Sequence, residues 1–112
     1  MLRHVALFRF KPETTDEQIE AAVVALSTLP DQIDALRKFR FGPDAGITEG
    51  AWDFAVVALL DDADDYAIYR DHPAHVAVLR DSIAPLISEA ARIQFESEGE
   101  STPRTQGSPR PI

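Results

Sequence analysis

The sequence predicts an α+β protein with the ferredoxin-like βαββαβ fold, in which a four-stranded antiparallel sheet carries its helices on one face. Three observations predict it. Stretches with the period-two alternation of strands recur along the chain. Apolar residues spaced by three and four fill segments between them, as in amphipathic helices. At 112 residues with 45% hydrophobic content, the chain fits one small domain with a buried core.

The first strand and the first helix follow directly. Side chains alternate over residues 2–11, and Pro12 ends this strand. Thr14 or Thr15, followed three residues later by a glutamate or a glutamine, gives a capping-box start for a helix. That helix carries one apolar stripe, made of Ile19, Ala22, Val23, Leu26 and Leu29.

Two strands follow in succession. The second is expected at about 35–42, where the turn residues Gly42-Pro43-Asp44 stop it. The third, at 51–60, is the most apolar stretch of the chain, and only Asp53 interrupts it. Because its residues are apolar on both faces, both faces of this strand should be covered.

A pair of helices and a last strand complete the domain. Carboxylates crowd the start of the first of these helices, where they cap free N–H groups; a calcium loop is the alternative, but the glycine and distal glutamate of an EF-hand loop are missing. The helix should end near His72, because Pro73 disfavours helical geometry before it, and Pro73 then begins a helix that Pro85 closes. Residues 90–96 alternate as a strand. The domain is thus expected at 1–97, with a proline-rich disordered tail at 98–112.

One face of the sheet lacks helices and needs another cover. Val5 and Leu7 lie on that side of the first strand, and the third strand is apolar on both sides. The simplest cover is a second copy of the same sheet. The sequence therefore predicts a homodimer formed through the sheet face.

The composition excludes several partners. The net charge is −8 without any run of basic residues, so we expect no nucleic acid and no anionic membrane surface as partner. The chain has no long apolar run and no apolar signal region, which indicates a cytoplasmic protein. Cysteine is absent, the histidines lack the helical pair spacing of zinc sites, and no glycine-rich phosphate loop occurs. We expect neither a metal nor a cofactor.

Proton-handling groups concentrate in the stretch Tyr69-Arg70-Asp71-His72-Pro73-Ala74-His75. An imidazole with a pKa of about 6.5 can take a proton from a carbon next to a carbonyl, and a phenol can hydrogen-bond the resulting enolate oxygen. If the break at Pro73 directs both side chains into one cleft, Tyr69 and His75 are the catalytic candidates. The residues expected to bind a substrate or line the cleft are His4, Ala6, Phe8, Val23, Leu26, Asp53, Ala55, Val57 and His72.

A structural role for the same residues stays open. A helix that ends at His72 leaves free carbonyls, and a helix that begins at Pro73 leaves free N–H groups, so imidazoles can simply satisfy them. His4 can likewise be a hydrogen-bonded core histidine. Asp53 either orients an imidazole or caps a neighbouring turn.

The chain resembles the Dabb family, the stress-responsive A/B barrel domain, over about residues 2–97. The resemblance rests on His4, on Phe8-Arg9-Phe10-Lys11, on Gly42-Pro43-Asp44, on Asp53, and above all on the HPxH signature within residues 69–75. It implies a dimeric α+β barrel, in which the sheets of two ferredoxin-like units face one another.

The resemblance says less about activity. Most such domains have no assigned reaction, some are linked to plant stress responses, and a few resemble a polyketide cyclase that performs an intramolecular aldol condensation without a cofactor. In that cyclase type the tyrosine and the second histidine of the motif act on the substrate, and a histidine of the first strand lines the pocket. The matching positions are Tyr69, His75 and His4.

Three functions therefore stay open. The preferred one is a homodimer that binds a small apolar or aromatic metabolite. The second is a cofactor-independent cyclase or isomerase with His75 as base and Tyr69 as hydrogen-bond donor. The third is a non-enzymatic stress-response or interaction protein, in which side chains should fill the cleft.

Overall fold

The computed structural model describes residues 1–97, which form one sheet and one layer of helices. The predicted tail at 98–112 lies outside the described residues. The elements in chain order are β1 (Leu2–Phe10), α1 (Asp16–Ser27), β2 (Lys38–Pro43), β3 (Phe54–Leu60), α2 (Ala63–Asp71), α3 (Pro73–Val78), a π-helical turn (Leu79–Ile83) and β4 (Ile87–Glu96).

The sheet has the strand order β2-β3-β1-β4, and every neighbouring pair is antiparallel. This order confirms the predicted α+β, ferredoxin-like fold. In the register, Ala6 of β1 lies opposite Val56 of β3 on one side and opposite Arg92 of β4 on the other. Even-numbered residues of all three strands therefore share the face that packs against the helices.

Side-chain caps fix the starts of the helices. The N–H of Gln18 donates to Thr15 Oγ1 at 3.2 Å and the N–H of Thr15 donates to Gln18 Oε1 at 2.9 Å, which completes the capping box of α1. At α2 the Asp62 carboxylate accepts from the N–H of Asp65 at 2.9 Å. The acidic cluster thus starts a helix, as the sequence predicts.

The third helix differs from the continuous helix expected up to Pro85. After Val78 the hydrogen bonds change to the π-type spacing, and the N–H of Ala84 donates to the carbonyl of Leu79 at 2.7 Å. The wider turn changes the direction in which Leu79 and Ile83 project. Both side chains border the cavity described below.

Three strand boundaries also differ from the sequence prediction. β2 begins at Lys38 rather than at about residue 35. β3 begins at Phe54 rather than at residue 51. Just before it, the Asp53 N–H donates to the carbonyl of Phe8, and the Asp53 carbonyl accepts from the N–H of Asp44. β4 begins at Ile87 rather than at residue 90. The pairing of β4 with β1 continues through a bulge opposite Arg9 and Phe10, over a segment of β4 in which apolar and polar residues do not alternate.

The hydrophobic core lies between the helices and one face of the sheet. Its largest fully buried side chains are Leu26, Leu29, Ile33 and Leu60. On the opposite face, Ile93 is 59% exposed and Phe95 is 43% exposed. Residues 1–97 of a single chain thus leave apolar side chains of this open sheet face uncovered. In the same described part, no helix has the length and apolar character needed to cross a bilayer.

Candidate functional site

A cavity of about 240 Å³ lies between the helix-facing side of the sheet and the helices. β1, β3 and β4 supply its floor, and α1, α2, α3 and the π-helical turn supply its roof. Its lining residues are His4, Ala6, Phe8, Leu26, Val56, Tyr66, Tyr69, Arg70, His75, Leu79, Ile83 and Arg92. The surface of the lining is mainly apolar, and six of its twelve residues carry a polar or charged group.

His75 stands in the first turn of α3 and is buried. Its Nδ1 lies 3.0 Å from the carbonyl oxygen of Arg70, near the end of α2, where helix carbonyls lack partners within the helix. A carbonyl only accepts, so Nδ1 carries the hydrogen. Burial lowers the pKa of His75 below its ordinary value, which favours the neutral ring with an unprotonated Nε2.

His4 faces the same cavity from β1 and is also buried. Its Nδ1 lies 2.7 Å from the side-chain nitrogen of Gln94, the residue paired with it on β4. With the amide as donor, Nδ1 accepts and Nε2 carries the hydrogen. Burial above all, and then the nearby His75 and Arg92, lower the pKa of His4 to about 4. His4 is therefore neutral at neutral pH and offers an N–H.

Tyr69 packs close to both histidines. Its ring centroid is 4.2 Å from that of His75 and 6.1 Å from that of His4, and the residue is only 2% exposed. Burial raises the pKa of Tyr69 above its ordinary value, so the phenol keeps its proton. The ring centroid of Tyr66 lies 5.0 Å from that of His4, so Tyr66 extends the aromatic wall of the cavity.

Three polar atoms remain available to a ligand. Within residues 1–97 neither His75 Nε2, His4 Nε2 nor the Tyr69 hydroxyl has a hydrogen-bond partner. No buried polar side-chain atom of this region is both unpaired and shielded from solvent, so these three reach solvent-accessible space. Since their residues line the cavity, the site combines one acceptor nitrogen with two hydrogen-bond donors. Such a set can accept a proton from an acidic C–H and hydrogen-bond an oxygen.

The structure brings six of the sequence-predicted residues together around this cavity, and these are His4, Ala6, Phe8, Leu26, Tyr69 and His75. It adds residues that sequence reasoning missed, of which Tyr66, Arg70 and Arg92 are polar. For Arg92 the sequence carries no local signal, because alternation separates it from Ala91 and Ile93 without showing which set faces the helices. Its place opposite Ala6 depends on the strand register.

Ala55 and Val57 do not line the cavity, and this part of the prediction is wrong. Val56 lies opposite Ala6 and faces the helices, so its two neighbours face the open side of the sheet. Val23 packs against the core without reaching the cavity lining. The apolar stripe predicted for α1 does face the core, but Leu26 is the one residue of this stripe that borders the cavity.

Asp53 and His72 lie outside the cavity lining as well. The Asp53 carboxylate accepts from the N–H of Phe10 at 2.8 Å, which joins β1 to the start of β3 rather than orienting an imidazole. His72 Nδ1 accepts from the N–H of Ala74 at 3.1 Å and so caps α3. Within residues 1–97 no three histidine, aspartate or glutamate side chains are arranged to hold a metal ion.

Comparison with known proteins agrees with the fold. The family model described as Stress responsive A/B Barrel Domain, Dabb, matches residues 2–97. The uncharacterized protein SCO4036 of Streptomyces coelicolor is 34% identical over 79 residues, which cover 69% of this chain and 81% of that protein. A dimeric ferredoxin-like protein of unknown function from Thermobifida fusca is 45% identical, with a TM-score of 0.79, and the match covers 84% of this chain and 88% of that one. A dimeric protein of unknown function and ferredoxin-like fold from Bacteroides fragilis is 26% identical, with a TM-score of 0.73 and coverage of 86% and 95%.

Proposed function

The chain belongs to the stress-responsive A/B barrel (Dabb) family, and from this premise we propose that it is a homodimer that binds a small apolar or aromatic metabolite in the cavity. One observation carries the proposal. Tyr69, His75 and His4 all border a single, mainly apolar cavity. Sites for small molecules have this composition, in which a few polar groups fix the orientation of a ligand held by apolar walls.

The cavity limits the size of the ligand. Its volume is about 240 Å³, whereas an apolar cavity of about 150 Å³ holds benzene. A ligand with one substituted ring or two fused rings therefore fits. The third function left open by the sequence expects side chains to fill this space, so the open cavity argues against it.

The homodimer is supported by the open sheet face. Ile93 and Phe95 are exposed there, next to half-buried Val5, Leu7 and Val57. Covering this face with a second sheet removes the apolar side chains from water. The similar structures from Thermobifida fusca and Bacteroides fragilis are described as dimeric, which favours the same assembly here. A cytoplasmic location stays a prediction from the sequence.

Titration with a neutral two-ring compound tests the binding proposal. We expect 2-naphthamide to shift the amide resonances of cavity residues in two-dimensional NMR spectra of the full chain. The variant Ala6→Leu places a larger side chain in the cavity and should abolish these shifts, whereas Ala21→Leu on the exposed side of α1 should keep them. Failure of 2-naphthamide to bind the wild-type protein, or binding that Ala6→Leu leaves intact, would contradict the proposal.

Proton transfer is the second candidate function, and the tautomer of His75 favours it. Its unprotonated Nε2 can serve as a general base, and the Tyr69 hydroxyl can donate a hydrogen bond to an enolate oxygen. In this reading His75 removes a proton from the carbon next to a carbonyl, and the electron pair moves onto the carbonyl oxygen, where Tyr69 stabilises it. Aldol closure and isomerisation both begin in this way.

Hydrogen exchange into acetophenone tests this second function. In D₂O the protein should accelerate deuterium uptake at the methyl group, as followed by NMR. His75→Gln and Tyr69→Phe should each remove the acceleration, whereas His72→Gln, which changes an imidazole outside the cavity lining, should retain it. A protein that binds 2-naphthamide but never accelerates exchange would be a binding protein without this activity.

A further inference from the structure

The cavity lining contains two charged side chains, and both are arginines. Among residues 1–97, Arg70 and Arg92 border it, and no carboxylate does. This contrasts with the whole chain, in which 19 acidic residues outnumber 11 basic ones. The cavity is therefore a local site of positive potential in an acidic protein.

The two arginines differ in their partners. Arg70 Nε and Nη2 donate to the two carboxylate oxygens of Asp71 at 2.8 and 2.9 Å, so its charge is already compensated. Arg92 makes no hydrogen bond or ion pair with any residue in the range 1–97. Arg92 therefore supplies the uncompensated positive charge at the cavity.

Arg92 also lies close to an N–H donor. On the helix-facing side of the sheet, Arg92 is paired with Ala6 and Gln94 is paired with His4, so Arg92 and His4 are diagonal neighbours across β4 and β1. Diagonal neighbours lie about 7–8 Å apart, within reach of a long side chain. The Gln94 amide donates to His4 Nδ1, which leaves the Nε2–H of His4 for a ligand.

We propose that Arg92 and the Nε2–H of His4 form an anion subsite, so that the ligand is an aromatic or apolar molecule with one carboxylate. The apolar part lies among the inner walls, and the carboxylate lies at the exposed edge beside β4. This inference deepens the proposed binding function and rests on it. One uncompensated guanidinium matches one negative charge, and its planar fork suits the two oxygens of a carboxylate.

A pair of probes of nearly equal shape tests the subsite. 2-Naphthoate carries a carboxylate where 2-naphthamide carries a neutral amide. At pH 7.5 and low salt, NMR titration of the full chain should show about five- to tenfold tighter binding of 2-naphthoate. Arg92→Gln should remove this preference, so that 2-naphthoate binds no more tightly than 2-naphthamide. Arg92→Lys should retain part of it.

The control is Arg80→Gln, which removes the same charge from an exposed arginine outside the cavity lining. It should keep the preference for 2-naphthoate. Equal affinities of the two probes for the wild-type protein, or a preference that survives Arg92→Gln, would overturn the subsite while leaving the binding function standing. If neither probe binds, the proposed binding function fails and the subsite fails with it.

Discussion

His75 Nδ1 lies 3.0 Å from the carbonyl oxygen of Arg70, five positions earlier in the chain. This contact uses one nitrogen of the ring to satisfy the end of α2 and leaves the other for the cavity. The two roles that the sequence left open for His75, a helix corner and a group in a pocket, therefore fall on different nitrogens of the same side chain. Which nitrogen carries the hydrogen decides what His75 can do.

The tautomer of His75 is the first prediction. At pH 7.5 the neutral ring should carry its hydrogen on Nδ1, because the Arg70 carbonyl can only accept. The ¹⁵N shifts of the imidazole, measured by long-range ¹H–¹⁵N correlation, should identify Nε2 as unprotonated. A ring protonated on Nε2 at this pH would remove His75 as a candidate base.

The stability of the protein should depend on pH through His4. Its pKa is about 4 in the folded protein and 6.5 in the unfolded chain, so the unfolded chain binds the proton first as the pH falls. The stabilisation of the folded protein that comes from neutral His4 is fully present above pH 6.5 and is lost as the pH falls from 6.5 to 4. A shift of this size corresponds to at most about 3 kcal/mol in the free energy of unfolding.

Urea denaturation at fixed protein concentration between pH 7.5 and 4 checks this dependence. His4→Gln should flatten most of the slope, and the remainder belongs to His75, whose pKa burial lowers as well. The exposed carboxylates that pair with arginines titrate at lower pH, because their pKa values lie below 3.8. Identical profiles for wild type and His4→Gln would show that His4 keeps an ordinary pKa.

Much of this architecture was predictable from the sequence, because period-two alternation and cap residues are local signals. β1 faced the helices with the residues predicted, His4, Ala6 and Phe8. β3 faces the helices with Val56 instead of the predicted Ala55 and Val57, because a strand that is apolar on both faces gives no sign of which face the helices cover. Only its pairing with β1, Ala6 opposite Val56, decides this.

The chemistry of the candidate site was less predictable. The tautomer of His4 depends on Gln94, 90 positions away along the chain. The charge at the cavity edge depends on Arg92, which β1 and β4 bring beside His4 through their register. Long-range pairing creates both features, and no local pattern in the sequence encodes them.

Tyr69 should contribute to stability through its ring and to binding through its hydroxyl. Within residues 1–97 the hydroxyl has no hydrogen-bond partner, so Tyr69→Phe should change the free energy of unfolding by less than about 0.5 kcal/mol. Tyr69→Ala removes a ring packed against Phe39 and His75 and should cost about 3–5 kcal/mol. Chemical denaturation measures both. For 2-naphthamide, Tyr69→Phe should weaken binding about fivefold; unchanged affinity would mean that the hydroxyl does not contact the ligand.

Asp53 should stabilise the fold without affecting the cavity. Its carboxylate accepts from the N–H of Phe10, so Asp53→Ala leaves that N–H unpaired and should cost about 1–3 kcal/mol. Asp53→Asn keeps an acceptor oxygen and should retain most of the stability. Denaturation curves together with 2-naphthamide titrations test both statements. Loss of binding in a folded Asp53→Asn protein would instead place Asp53 in the site.

The open sheet face should hold the dimer together. Ile93, paired with Val5, is 59% exposed in the single chain, and a carboxylate at this position would be buried against the second sheet. Burying an unpaired charge costs several kcal/mol, and a two-fold axis imposes the cost on both copies. Ile93→Glu should therefore convert a dimer into a monomer at about 10 μM, a concentration at which an interface of standard size stays associated.

The matched control is Ile68→Glu on α2, since Ile68 is 54% exposed but lies on the helix side of the molecule. Sedimentation velocity should show a dimer for wild type and for Ile68→Glu, and a monomer for Ile93→Glu. Circular dichroism must show that all three proteins are folded. A monomeric wild type, or equal dissociation of both variants, would mean that the apolar residues of β4 do not form the interface.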